Sequence, residues 1–454
     1  MNEPCETAEA VYWEMTMLVS ISIFFIVYIL MVTEKLDRVV AAMLGVAVLL
    51  LLRAMPYETA LESIDLDVIF LLVGMMTVVD ILAQTGLFEW VAIYIAQRAW
   101  GNPLIILVGL LAATAVLSAF LDNVTTVVLI APVTILITQI LELRTTPFLI
   151  LEALFSNIGG TATLVGDPPN ILIGSRGGLS FNAFLLNLAP IVILCALAVF
   201  VGILLSQRNT LKTTGALRAR IMKAHPAKAI LDPWRLKRGL TVFFVILVGF
   251  SASRFLNVQP GIIALSGALF MIVYTKSSLR ASMEKVEWET ILFLMGLFML
   301  VGALEHNGLF REIARHLFGL TQGHLFATSM AVLWASALLS AFFGNIPVVI
   351  AMIPLVHSLI DSMQGQMNLH QSPDLLNAYV AYPLWWSLAL GACLGGNGTI
   401  FGAAANVVII QIARRNGYKI TFKDFLRYSV PVTVLTLLLS SVYIYFRYFI
   451  FSPL

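Results

Sequence analysis

Charged residues are scarce in this sequence, and their scarcity excludes an ordinary soluble protein. Only 11% of its 454 residues are charged and 60% are hydrophobic, whereas soluble domains contain about 25% charged residues. Cysteine is also scarce, and Cys5, Cys195 and Cys393 are too far apart to predict a disulfide framework or a metal site. The sequence has no phosphate-binding loop of the G-x-x-x-x-G-K-[ST] type, which excludes a primary pump on this chain. We expect no cofactor and no enzymatic activity.

What the sequence does contain is a series of apolar runs. Runs on the order of 20 residues are long enough to cross a bilayer as helices, and they recur along the whole chain. The first, residues 13–32, is too long for a signal-peptide core and its basic residues follow it, so we expect a retained helix. The net charge of +2 gives no indication of nucleic-acid binding. The sequence therefore predicts an all-α, polytopic membrane protein.

The two halves of the sequence repeat each other. At an offset of 222 residues Gly, Asn and Pro recur in register, and after a longer loop near residues 362–377 the offset becomes 236. Chance matches between apolar helices involve Leu and Val rather than aligned Gly, Asn and Pro, so the match indicates a duplication. The matched pairs include Gly74 with Gly296, Asn123 with Asn345, Pro132 with Pro354, Gly159 with Gly395, Thr163 with Thr399 and Asn170 with Asn406.

Basic residues predict how the chain is oriented. The stretch 207–238 between the halves holds nine Lys and Arg, which favours the cytoplasmic side. Five spans per half, counted outward from this stretch, place 21 of the 27 basic residues on that side. An odd number of spans inverts the second half relative to the first, a recurring feature of secondary transporters whose site lies where the halves meet. We therefore predict a multi-pass protein of the cell inner membrane.

Each half also contains two places where a simple membrane helix is interrupted. One is a polar turn between apolar stretches, near residues 122–126 and 344–347, which predicts a re-entrant hairpin. The other is a run rich in Gly, Pro or Asn at 156–170 and 395–406, which predicts a broken helix. Non-helical backbone at membrane depth is tolerated only where it is buried in protein or lines a cavity. We therefore expect the four breaks to converge on one site.

These features predict two inverted repeats with about ten full spans, two re-entrant hairpins and two broken helices. The first repeat covers residues 12–205, a basic cytoplasmic linker covers 206–239, and the second repeat covers 240–450. A packing contact or an interhelical hydrogen bond explains a single break equally well, but four breaks in symmetric positions favour a site.

Acidic residues near the breaks occur only in the first half, where Asp122 and Asp167 match a Gly and an Ala of the second half. A carboxylate at membrane depth costs about 3 kcal/mol or more, so it usually faces a cavity, pairs, or carries protons or cations. We therefore expect Asp122 and Asp167 to couple transport to protons or cations. Capping of the segment 168–170 is the alternative for Asp167, and Glu152 is explained equally well as a paired structural charge.

Two long motifs carry a resemblance to a known family. They are F-L-D-N-V-T-T-V-V-L-I-A-P at 120–132 and E-A-L-F-S-N-I-G-G-T-A-T-L-V-G-D-P-P-N at 152–170. Over nearly its whole length the sequence resembles the ArsB and P-protein branch of the ion transporter superfamily. Sodium/proton antiporters of the NhaD type and divalent-anion/sodium symporters are more distant relatives. The resemblance implies a scaffold domain and a mobile transport domain, usually in a homodimer, with the hairpin tips and broken-helix loops forming the site.

Carried over to this sequence, the resemblance implies two sets of site residues. Asp122 and Asp167 are implied as residues of the site, and they are the pair expected above to couple transport to protons or cations. The second hairpin tip departs from the first, since Gly344 and Pro347 replace Asp122 and Thr125. The implied substrate-binding residues are Asn123, Thr125, Gly159, Gly160, Thr161 and Thr163 in the first half, and Asn345, Gly395, Gly396, Asn397 and Thr399 in the second.

The leading functional hypothesis is efflux of arsenite and antimonite in exchange for protons. Trivalent arsenic at neutral pH is a small neutral hydroxide, and a cluster of Asn, Thr and backbone groups suits its hydroxyl groups. The sequence has no clustered cysteines for thiolate capture. Sodium/proton antiport is the first alternative and organic-anion symport is the second.

Other classes of protein explain fewer of these features. An intramembrane aspartyl protease would use Asp122 and Asp167, but it leaves the duplicated breaks without a purpose, and a non-transporting receptor is a further alternative. As partners we expect membrane lipid, a small inorganic substrate or ion, and a second copy of the chain, but no nucleic acid. A soluble ATPase subunit docked on the stretch 207–238 is an alternative to the purely orienting role of its charge, which we favour.

Overall fold

The computed structural model of the chain describes residues 3–32, 36–207, 211, 213–223, 225–367 and 376–450. Across these residues the regular secondary structure is helical and contains no strand, which confirms the predicted all-α fold. Nine of the described helices are long and apolar enough to cross a membrane, as expected of a polytopic membrane protein. Lys35, Arg208 and Lys212, which the sequence places on the cytoplasmic side, lie outside the described residues, as does most of the loop near 362–377.

The first half of the chain and the linker form helices α1 to α12. Their bounds are α1 (Glu3–Val32), α2 (Arg38–Leu51), α3 (Tyr57–Glu62), α4 (Leu66–Ala83), α5 (Leu87–Arg98), α6 (Pro103–Phe120), α7 (Asn123–Ile140), α8 (Thr145–Gly160), α9 (Pro168–Gly177), α10 (Phe181–Asn187), α11 (Ala189–Gln207) and α12 (Gly215–Met222). A short 3-10 turn, Pro226–Ala229, follows α12 in the linker.

The second half forms helices α13 to α22. Their bounds are α13 (Pro233–Leu256), α14 (Pro260–Thr275), α15 (Leu279–Met283), α16 (Trp288–His306), α17 (Leu309–Leu320), α18 (Leu325–Phe343), α19 (Asn345–Met367), α20 (Tyr382–Gly395), α21 (Ala404–Arg415) and α22 (Phe422–Tyr445). Short 3-10 turns at Gly396–Gly398 and Ile400–Gly402 lie between α20 and α21.

Helix boundaries repeat at the offsets found in the sequence. Helix α4 begins at Leu66 and α16 begins at Trp288, 222 residues later. Helix α9 begins at Pro168 and α21 begins at Ala404, 236 residues later. The two halves of the chain therefore have the same order of helices.

Helices α6 and α7 form the first hairpin. Pro103 starts α6 in the position where a missing N–H costs nothing, and the side chain of Asn102 caps the same helix. Asp122 caps α7, because its Oδ2 accepts a hydrogen bond from the backbone N–H of Thr125 at 3.0 Å. Asp122 is 8% exposed and Asn123 is 2% exposed, so this polar turn lies inside the protein.

Helices α18 and α19 form the second hairpin, whose tip is built differently. Gly344 lies between the two helices with φ of +90°, a conformation that side chains with a Cβ rarely adopt. This backbone requirement explains why a glycine stands where the first hairpin has Asp122. Asn345 at the start of α19 is buried, so the second tip also lies inside the protein.

The two broken helices form the centre of the molecule. The first consists of α8 and α9, and every residue from 148 to 174 is buried. The second consists of α20 and α21, and every residue from 383 to 397 is buried. The first hairpin packs on α8 through α6, and the second hairpin packs on α20 through α18. Each hairpin tip is thereby held against the break of its own repeat.

The linker between the repeats is part of the packed structure. Leu217 and Ile221 of α12 join a buried cluster with residues of α5, α6 and α7. The backbone N–H of Leu231 donates to the carbonyl of Thr85 at 2.9 Å. The linker therefore contacts the base of the first hairpin, in addition to carrying the basic residues that predict orientation.

Candidate transport site

Asp167 lies at the centre of the candidate site, just before α9. Its carboxylate is fully buried, and the side-chain amide of Asn123 donates to its Oδ1 at 3.1 Å. The amide of Asn345 donates to both of its oxygens at 3.2 Å. One carboxylate thus joins the hairpin tips of both repeats. Asp167 makes no capping hydrogen bond to α9, so the capping alternative is wrong.

A buried chain of asparagines continues from this carboxylate into the second repeat. Asn123 donates to the amide oxygen of Asn157 at 3.0 Å. Asn157 in turn donates to Asn397 at 2.8 Å and to Asn406 at 3.0 Å. The amide oxygen of Asn123 has no partner among the described residues, and it is buried. The site therefore holds one free acceptor beside a carboxylate.

Asp122 adjoins this cluster at the tip of the first hairpin. Its Oδ2 accepts from the hydroxyl of Thr125 at 3.2 Å as well as from the backbone N–H of that residue. Asn123, the next residue in the chain, donates to Asp167, so the carboxyl groups of Asp122 and Asp167 belong to one buried cluster. The structure therefore brings together both carboxylates that the sequence singled out.

Threonine hydroxyls tie each hairpin to the break of the same repeat. The hydroxyl of Thr163 donates to the carbonyl of Ala119 in α6, and the hydroxyl of Thr399 donates to the carbonyl of Ala341 in α18. The hydroxyl of Thr161 donates to the carbonyl of Asn157. All three threonine hydroxyls therefore donate their hydrogen to a backbone carbonyl of the protein.

One asparagine in each repeat holds the unpaired carbonyl groups of the break. Asn170 donates to the carbonyls of Gly160 and Thr161 at 3.3 and 3.1 Å, and to that of Thr163 at 2.9 Å. Asn406 donates to the carbonyls of Gly396 and Thr399 at 3.0 and 2.9 Å. Breaking a buried helix exposes such carbonyls, and leaving each unsatisfied would cost about 1–3 kcal/mol.

Three of the four paired glycines lie at the ends of helices, and Gly396 is the first residue of its break. Gly159 and Gly160 are the last residues of α8, and Gly395 is the last residue of α20. The segments outside the α-helices are therefore 161–167 and 396–403, within the predicted ranges 156–170 and 395–406. A Cβ on Gly159 would overlap the Ala115 backbone, and one on Gly395 would overlap the Ala337 backbone. These glycines allow the hairpin to approach the broken helix closely.

Three asparagines of the site were not selected from the sequence. Asn170 and Asn406 match each other at the offset of 236, and that match was the signal that could have identified them. Asn157 has Cys393 as its counterpart, so the repeat gave no indication of its importance. Its position in the long motif was its only sequence signal.

A cavity of about 140 Å³ adjoins the second hairpin tip. Asn345 and Pro347 line one side, and Tyr28, Arg38 and Phe293 of α1, α2 and α16 line the other. The hydroxyl of Tyr28 donates to the carbonyl of Phe343 at 3.2 Å, so the hairpin and α1 are in direct contact beside this cavity. A small solute in the cavity would contact residues of the site and the exposed guanidinium of Arg38.

The carboxylates of the site have no basic partner. No ion pair among the described residues involves Asp122 or Asp167. In the same part of the chain no three His, Cys, Asp or Glu side chains come together as a metal site. The buried thiol of Cys195 contacts the carbonyl of Thr436, whereas the buried thiol of Cys393 contacts Asn170 at 3.5 Å and also Asp167. The chemistry of the site is therefore that of amide groups, with one thiol, around carboxylates that form no ion pair within the described residues.

In this polytopic helical chain, hairpin tips and broken helices from both repeats meet at a buried polar cluster. These are the features of a membrane transporter. Residues 28–376 match the citrate transporter family, CitMHS. The chain belongs to that family, within the ion transporter superfamily.

Several relatives cover nearly the whole chain. An uncharacterized transporter of Mycobacterium tuberculosis is 41% identical over 436 residues, which are 95% of this chain and 99% of that protein. A 46 kDa membrane protein of Mycobacterium leprae is 41% identical over 96% of this chain and 99% of its own length. The human P protein is 31% identical over 92% of this chain and 58% of its own length. These relatives confirm the predicted likeness to P protein, whereas the ArsB branch stays a prediction.

Proposed function

We propose that this protein is a secondary active transporter that exports arsenite and antimonite across the cell inner membrane in exchange for protons. The observation that carries the proposal is the setting of Asp167, a buried carboxylate that accepts from neutral amides of both repeats and has no basic partner among the described residues. Amides donate and accept hydrogen bonds, which suits the hydroxyl groups of a neutral solute. Asp122 and Asp167 are the proposed coupling residues.

The unpaired carboxylate is the reason for choosing a proton as the coupling ion. A carboxylate at membrane depth costs about 3 kcal/mol or more unless it is paired or neutralised. A proton on Asp167 would remove that cost in the state that lacks solute. The site would then release its proton to one side and bind the solute from that same side. Because one site would hold the proton and the solute in turn, the two would be exchanged.

Everted membrane vesicles with an acidified interior test this proposal. Addition of arsenite should dissipate the proton gradient and load arsenite into the vesicles, and the Asp167→Asn variant should do neither. Cys195→Ala should keep both activities, because the thiol of Cys195 donates to the carbonyl of Thr436 in α22 rather than to a residue of the site. If only sodium dissipates the gradient, the arsenite proposal is lost and sodium/proton antiport takes its place.

Organic-anion transport is the second candidate, favoured by Arg38 beside the cavity and by the family's description as citrate transporters. A guanidinium suits a carboxylate of the substrate, although both acidic residues of the site disfavour an anion. The discriminating variant is Arg38→Gln. It should abolish uptake of citrate if citrate is the substrate, and it should leave arsenite uptake nearly unchanged if the solute is neutral.

A further inference from the structure

A second buried carboxylate lies outside the cluster around Asp167. Glu152 is in the middle of α8 and is 1% exposed. Its Oε1 accepts a hydrogen bond from the hydroxyl of Thr134 in α7, and its Oε2 has no partner within the part of the chain that the structure describes. Among the described residues, Thr134 is the only hydrogen-bond partner of the Glu152 carboxylate, and no charged or titratable group of the elements packed against α8 forms an ion pair with it.

Hydroxyl groups line the way from Glu152 to the end of the first hairpin. The hydroxyl of Thr138 donates to the carbonyl of Thr134 at 2.9 Å. The hydroxyls of Thr138 and Thr145 are 2.8 Å apart. Thr145 starts α8 and follows Arg144, which is exposed at the turn predicted to face the cytoplasm. A line of buried polar groups therefore leads from that turn to Glu152.

In the other direction, α8 leads from Glu152 to the transport site. Asn157 lies five residues further along the helix, which is about 7.5 Å at 1.5 Å per residue. Asn157 is hydrogen-bonded to Asn123, and Asn123 is hydrogen-bonded to Asp167. Glu152 is thus between the Asp167 cluster and the predicted cytoplasmic turn.

The second repeat provides an internal control for these polar residues. Each of the four positions has an apolar and buried counterpart in the second half of the chain. The same helix packing is therefore formed in the second repeat with an apolar pair in place of Thr134 and Glu152. Packing alone does not require a carboxyl group at position 152. The matched pairs are Thr134 with Val356, Thr138 with Ile360, Thr145 with Ala381 and Glu152 with Leu388.

We propose that Glu152 is a second proton-binding site of the transport cycle, connected to the predicted cytoplasmic side by Thr134, Thr138 and Thr145. In each cycle the carboxyl of Asp167 would lose a proton and the carboxylate of Glu152 would gain it. Glu152 would then release the proton to water at the α7–α8 turn, so charge and atoms balance without another reactant. The coupling role rests on the proposed proton exchange, whereas proton binding at Glu152 does not.

Infrared difference spectroscopy of the purified full-length protein tests proton binding without any solute. The signal of a protonated carboxyl group should change as pH is varied, and Glu152→Gln should remove one such component. The double variant Thr134→Val, Glu152→Leu copies the pair of the second repeat and should remove the same component while keeping the fold. Thr114→Val removes a buried hydroxyl that donates only to the Leu110 carbonyl of its own helix, and it should change nothing. An unchanged carboxyl signal in both Glu152 variants overturns the proposal.

Vesicle transport then tests the coupling role. Both Glu152 variants should lower proton-driven arsenite uptake by about tenfold or more, while exchange of arsenite at equal concentrations on both sides stays near normal. Normal proton-driven uptake in both variants contradicts the coupling role. If the wild-type protein moves no protons with arsenite but Glu152→Gln still removes the carboxyl signal, the proposed function fails and the proton site at Glu152 stands.

Discussion

The two repeats share their backbone construction and differ in their charges. In both, a threonine hydroxyl ties the hairpin to the break, and one asparagine holds the carbonyls of the broken segment. Among the described residues, buried carboxylates are present only in the first repeat. What is duplicated therefore supports the fold, and what is not duplicated is free to serve coupling. The unmatched pairs are Asp122 with Gly344, Glu152 with Leu388 and Asp167 with Ala403.

The largest effect is expected when the carboxylate is removed from the first repeat or moved to the second. Asp167→Asn should lower proton-driven uptake by about a hundredfold, the scale of a lost proton-transferring group, because Asn cannot carry the proton. The double variant Asp167→Ala, Ala403→Asp should be equally inactive, because the amides of Asn123 and Asn345 converge on position 167. Initial rates of solute uptake in vesicles measure both effects.

Glu58→Gln is the matched control for loss of one negative charge, since Glu58 is exposed on α3, and it should retain normal uptake. Recovery of coupling in the swapped variant would contradict the asymmetry, because it would show that either repeat can hold the proton.

The shared construction makes a second prediction, in which the repeats should behave alike. Gly159→Ala and Gly395→Ala each place a methyl group against the backbone of the adjacent hairpin helix. Overpacking of this kind typically costs about 1–3 kcal/mol, so both variants should lower the thermal unfolding temperature in detergent by similar amounts. Scanning fluorimetry of the purified variants measures the shift.

Gly202→Ala is the control, because Gly202 lies in α11 and a Cβ there meets nothing within 4 Å. It should leave the unfolding temperature unchanged or raise it slightly, in line with the helix propensity of alanine. A large shift for Gly159→Ala with none for Gly395→Ala would mean that the two hairpins do not pack in the same way.

The sequence predicts the shared construction well and the details of the site less well. Aligned Gly, Asn and Pro identify the repeat because backbone breaks need particular residues wherever they occur. Asn157 was missed because its contacts reach Asn397 and Asn406, which are 240 and 249 residues away. The packing role of Gly159 and Gly395 could not be predicted from the sequence either. It depends on which backbone lies against each glycine, and only the packed hairpins show this.

A further difference between the repeats concerns the contacts that surround the site. Asp65 at the start of α4 forms an ion pair with Arg176 in the last turn of α9 at 3.2 Å, and Arg176 also donates to the Ser63 carbonyl. The counterpart of Asp65 at the offset of 222 is Glu287 at the start of α16. Glu287 accepts from Thr290, and within the described residues it forms no ion pair with Arg414 or Arg415 at the end of α21. An ion pair thus joins α4 to α9 in the first repeat, and no matching ion pair joins α16 to α21 among the described residues of the second.

The counterpart of Arg176 at the offset of 236 is Ile412, so this difference is one of sequence, and it gives the prediction with the smallest effect. Arg176→Ala should shift the population by about fivefold away from the conformation in which α4 and α9 are joined by this ion pair. The reason is that a partly exposed ion pair contributes up to about 1 kcal/mol. Spin labels at positions 61 on α3 and 361 on α19 would measure the shift as a longer distance in a larger fraction of molecules. Arg280→Ala removes an exposed ion pair within a single segment and should leave the distances unchanged. If Arg176→Ala also leaves them unchanged, the contact between α4 and α9 does not set the conformation, and the asymmetry between the repeats is one of charge alone.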